Sequence, residues 1–66
     1  MAREKGKVYI NTNTIVFQDC MYVINMYNRL GVVVATRVLN RLSKVRGYKY
    51  WELIVITDFI RQEILK

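Results

Sequence analysis

The side chains that could do chemistry in this chain are few. It contains no histidine, so the commonest general base and the usual catalytic triads are absent. The one cysteine, Cys20, falls on an apolar helical stripe and reads as a core thiol. Five carboxylates, Glu4, Asp19, Glu52, Asp58 and Glu63, show no metal-ligand spacing. Asp58 with Arg61 and Glu63 with Lys66 are spaced instead as helical ion pairs. The three glycines, Gly6, Gly31 and Gly47, are scattered and form no phosphate-cradling loop. These residues argue against an enzyme, a metal, a cofactor or an evident small-molecule ligand.

Two other patterns point to polyanion recognition. Arg37, Arg41 and Lys44 recur at spacings of four and three, one flank of a helix, where they could hold phosphates. Lys7, Tyr9, Asn11 and Asn13 alternate along a strand-like stretch. An asparagine amide offers a donor and an acceptor together, matching the N7 and N6 edge of adenine. The competing reading of Asn11 to Thr14 is a turn followed by a helix cap.

The elements that must carry these residues follow from periodicity. Val8, Ile10 and Thr12 alternate with the polar positions of 7–13, which predicts a strand with one apolar face. A helix is expected over 14–30, started by Asn13 or Thr14 and stopped at Gly31, with Val16, Cys20, Val23, Ile24 and Tyr27 on its buried stripe. A second helix is expected over 33–46, with Val34, Val38, Leu42 and Val45 inward. Residues 48–66 are ambiguous. As a helix they place Leu53, Ile56, Thr57, Ile60 and Ile64 on one face and leave Trp51, Ile54, Val55 and Phe59 outside it. Their β-branched and aromatic content also permits a strand followed by a short helix.

The whole chain sets the context. Sixty-six residues make a single domain, and a chain that short buries only about 60% of its unfolded surface. With no disulfide and 53% hydrophobic residues, a second copy is the expected source of additional burial. Leu53, Ile56, Ile60 and Ile64, with Val8, Ile10, Val38 and Leu42, are the expected core and dimer positions. Eleven Lys and Arg against five Asp and Glu give a charge of +6, so a homodimer would carry twice that, which favours nucleic acid as partner. No stretch reaches the roughly 18 apolar residues needed to span a bilayer. Nor do the basic residues oppose an apolar face on one long helix, so a membrane is not expected. The start, Met1-Ala2-Arg3-Glu4-Lys5, leads into a polar stretch and not into a signal-peptide core, which reads as intracellular and cytoplasmic.

The order strand, helix, glycine, helix resembles the ribbon-helix-helix family of DNA-binding proteins over residues 7–46. Lys7 to Asn13 sits where that family has its ribbon, and Leu30-Gly31-Val32-Val33 sits at its interhelical turn. The resemblance implies a mainly α dimer with one N-terminal β-strand per chain and, here, an extra C-terminal helix. Lys7, Tyr9, Asn11 and Asn13 would read bases in the major groove. The backbone N–H groups of Val32 and Val33 would hold a phosphate, with Arg37, Arg41 and Lys44 alongside. The function implied is a homodimeric transcriptional regulator that binds DNA sequence-specifically, such as a repressor.

An alternative fold uses the same residues differently. Thr36 to Leu42 looks like the recognition helix of a winged helix-turn-helix regulator, with Tyr48 to Thr57 as a wing strand. The rival function is a small dimeric interaction protein, a virion component or an enzyme inhibitor, that uses Tyr48, Tyr50 and Trp51 as its contact surface.

Overall fold

A computed structural model describes residues 7–66. It contains three helices, α1 (Ile15–Leu30), α2 (Val32–Arg46) and α3 (Tyr50–Leu65), and no strand among the described residues. Helices α2 and α3 each pack on α1 and scarcely meet each other. The core is Cys20, Val23 and Ile24 of α1, Ala35 of α2, and Ile56, Phe59 and Ile60 of α3. Phe17 meets Phe59 edge to face with ring centroids 6.0 Å apart.

Each helix end has a physical cause. The Thr14 hydroxyl accepts the Phe17 N–H at 3.1 Å and caps α1. Gly31 ends α1 and begins α2, with φ 96° and ψ 176°. That backbone region is essentially closed to residues with a Cβ, so one glycine can reverse the chain where a longer loop would otherwise be needed. Gly47 is left-handed at φ 73°, and the N–H groups of Gly47 and Tyr48 both donate to the Ser43 carbonyl. At the start of α3 the Glu52 carboxylate accepts the Lys49 N–H at 2.7 Å.

The expected N-terminal strand is not formed, and this removes the ribbon. Residues 7–10 run without ladder pairing. The Val8 N–H donates to Gln62 Oε1 at 2.7 Å, and Gln62 Nε2 donates to the Val8 carbonyl at 2.8 Å. One side-chain amide thus occupies both backbone groups that a ribbon would offer a partner strand. Val8 and Ile10 turn their apolar side chains onto the core of their own chain. Beyond them, the Asn11 side chain accepts the Asn13 N–H at 2.8 Å and the Asn11 carbonyl accepts the Thr14 hydroxyl at 2.7 Å. The asparagine run is therefore a turn and a helix cap.

The wing strand of the alternative fold is absent too. Tyr48 and Lys49 connect the helices, and Tyr50 to Thr57 lies within α3. No strand among the described residues stands ready to pair with it. Burial of Ile56, Phe59 and Ile60 at helical spacing overrides the β propensity of the segment. Leu53 and Ile64 are half-buried beside them, as are Val38 and Leu42 on α2. Phe59, which the periodicity left outside the buried face, lies in the core at 6% exposure.

Candidate nucleic-acid interface

Four polar residues share the outward face of α2. Ala35, Val38, Leu39 and Leu42 turn towards the core, so Arg37, Asn40, Arg41 and Lys44 face away from it, and all four are exposed. They surround one shallow depression together with Val45, which the spacing places inward but the fold leaves 70% exposed. A neighbouring hollow brings in Tyr22 of α1 beside Arg37 and Arg41. Helix α2 holds four basic residues, Arg37, Arg41, Lys44 and Arg46, and no acidic one.

Arg46 is set apart from the other three. Its Nε donates to Asp19 Oδ2 at 2.8 Å, and its second guanidinium nitrogen donates to Oδ1 at 3.0 Å. The Tyr48 hydroxyl donates to Oδ2 at 2.7 Å. Asp19 is only 6% exposed, so three donors satisfy a nearly buried carboxylate. The Arg46 hydrogen bonds hold its carboxyl below the usual range against the opposing effect of burial, with Tyr48 assisting. Burial and the Asp19 hydrogen bond push the Tyr48 phenol up to about 12. This junction fixes the C-terminal end of α2 on α1 and neutralises Arg46. Arg37, Arg41 and Lys44 have no salt bridge to any described residue.

The expected base-reading residues are not brought to this face. Lys7, Tyr9, Asn11 and Asn13 are exposed on the segment before α1, and Asn11 spends its side-chain oxygen on the turn. Val32 and Val33 are exposed at the start of α2, where no side chain caps the first-turn N–H groups. Tyr22, 51% exposed, was not singled out by the sequence, because only the packing angle of α1 on α2 places it next to the arginines. Asn40 shares the face of Arg37, Arg41 and Lys44 and lies in the Thr36–Leu42 stretch that resembles a recognition helix.

Cys20 is fully buried, and burial pushes its thiol up to about 11. Among the described residues no three metal-ligating side chains gather. No helix among them is long and apolar enough to cross a membrane. Comparison with known protein families, characterised proteins and solved structures finds no match to this chain.

Proposed function

We propose that this protein binds double-stranded DNA through the outward face of α2, laid in the major groove, and regulates transcription by occupying its site. The observation that carries this reading is the set of three cations, Arg37, Arg41 and Lys44, on one exposed helical face with no described acid to neutralise them. An α-helix fits the major groove of B-form DNA, whereas the corresponding groove of an RNA duplex is too narrow for side-chain reading. Cations on such a helix reach the phosphates on either side of the groove. Asn40, between Arg37 and Arg41, presents the donor and acceptor pair that suits an adenine edge. Tyr22 adds a hydroxyl at the rim.

The test is fluorescence anisotropy with labelled duplexes. Alanine at Arg37, Arg41 or Lys44 should weaken binding to a random-sequence duplex. Alanine at Arg29 or Lys49, exposed cations away from this face, should not. Asn40→Ala should cost about 1–3 kcal/mol on a site selected by the protein and little on random DNA. Equal losses from both groups of cations would reduce the interaction to net charge. No binding to any duplex at low salt would leave the protein-interaction reading, for which the exposed Tyr50 and Trp51 speak.

A further inference from the structure

The outward side of helix α3 is largely apolar, with only Asp58 and Arg61 charged among its exposed residues. Its buried face holds Ile56, Phe59 and Ile60, yet Trp51, Ile54 and Leu65 on the opposite face are 62%, 45% and 75% exposed. A helix that is apolar around most of its circumference is ordinarily enclosed. The exposed positions Trp51, Ile54, Asp58, Arg61 and Leu65 are spaced three, four, three and four, the heptad seam along which one helix accepts another. Asp58 and Arg61 lie in the middle of that seam. Their spacing suits an ion pair within the helix, but no such pair forms, and neither has a salt bridge to any described residue.

We infer that this seam is the dimer interface and that its occupant is α3 of a second copy, running antiparallel across a twofold axis between Asp58 and Arg61. In that register the two central layers each join Asp58 to the partner's Arg61, and the two outer layers join Ile54 to the partner's Leu65. Every charge on the seam then has an opposite charge, and every apolar residue within it has an apolar neighbour. Trp51 lies just beyond, over the end of the partner's α3. A parallel pairing would set Asp58 on the partner's Asp58 and is disfavoured. An anionic surface is a poor occupant, because α3 carries Glu52, Asp58 and Glu63 against Arg61 alone.

The area agrees with a dimer. Tyr50, Trp51, Ile54, Val55 and Leu65 are 80%, 62%, 45%, 39% and 75% exposed, together on the order of 500–600 Å² of largely apolar side chain, the greater part of the ~800 Å² per partner that a stable complex buries. The seam also borders an open valley of about 480 Å³ between α2 and α3, floored by Val23 and Tyr27, which the second helix would help to cover. The inference does not rest on DNA binding, and the outward face of α2 is not used in it.

Sedimentation equilibrium on the full chain without DNA tests the pairing. The wild type should have twice the chain mass at micromolar concentration, and Ile54→Asp should be a monomer with unchanged helical circular dichroism. Asp58→Arg or Arg61→Asp alone should raise the dissociation constant at least about tenfold, and the two together should restore it to near the wild-type value. Cysteine placement checks the direction. Cys20 is buried and silent, so Ile54→Cys combined with Leu65→Cys should form intermolecular disulfides on mild oxidation, whereas Ile54→Cys alone should not. A wild-type monomer, a charge exchange that fails to restore the dimer, or efficient cross-linking by Ile54→Cys alone would each overturn the proposal. A dimer without affinity for DNA would leave it standing and defeat the preceding one.

Discussion

Asp19→Asn should destabilise the fold by about 2–3 kcal/mol. The carboxylate receives two hydrogen bonds from Arg46 and one from Tyr48, all between 2.7 and 3.0 Å. A hydrogen bond to a charged group contributes about 1.5–3 kcal/mol in favourable cases, but the three do not add. The Arg46 side chain is 37% exposed and recovers water when its partner is lost, which lowers the total. Asparagine keeps the shape but turns an amide N–H₂ towards groups that are themselves donors.

Thermal melts at fixed protein concentration should show a fall of roughly 10–20 °C for a domain of this size. The pH dependence follows from the direction of the shift. The folded carboxyl is held below its ordinary 3.8, so its stabilisation is complete well above that value and is lost as pH falls through the depressed folded pKa. The gap between wild type and Asp19→Asn should therefore be constant from about pH 7 to pH 5 and narrow below about pH 4. A gap under about 0.5 kcal/mol, or one that ignores pH throughout the acid range, would refute the assignment of this junction as a charged clamp.

Gly31→Ala should cost about 1–3 kcal/mol in urea unfolding, all of it backbone strain, because an added Cβ meets no atom within 4 Å at this φ of 96°. Gly47→Asn should be nearly neutral, since asparagine tolerates the left-handed region; equal costs at the two glycines would contradict the backbone geometry. Gln62→Ala should cost about 1 kcal/mol and abolish hydrogen-exchange protection of the Val8 amide. A Val8 amide that exchanges freely in the wild type would show that the N-terminal segment is not docked on α3.

The helices were legible from the sequence to different degrees, for reasons that particular residues make plain. Cys20, Val23, Ile24 and Tyr27 recur on one stripe between Thr14 and Gly31, so α1 is visible from its cap to its stop. In α3 the same rule blurs, because apolar residues surround the helix and period alone cannot say which are inward. Phe59 falls outside the periodic stripe for that reason, although it is buried. The alternation holds over 7–10, with Val8 and Ile10 inward and Lys7 and Tyr9 outward, and stops at Asn11, where the turn leaves Thr12 as exposed as its neighbours. Alternation, however, describes any extended segment and is silent on what satisfies the backbone. Gln62, 54 positions from Val8 in the chain, does so here, and no local pattern announces a contact that distant. Burial of Asp19 is invisible likewise, since its partners Arg46 and Tyr48 come from the last residue of α2 and the connector beyond it. The basic stripe needed no tertiary knowledge, because helix geometry alone collects Arg37, Arg41 and Lys44.

The salt dependence of DNA binding tests the central claim most directly. Each cation that neutralises a phosphate contributes about 0.9 to the slope of log affinity against log salt concentration. Replacing Arg37, Arg41 and Lys44 together with alanine should flatten that slope by about 2.7 per bound chain, three contacts at about 0.9 each. Arg46 remains neutralised by Asp19 in both proteins and should not compensate. A slope unchanged by the triple substitution would contradict the account, because the outward face of α2 would then not be where this protein meets DNA.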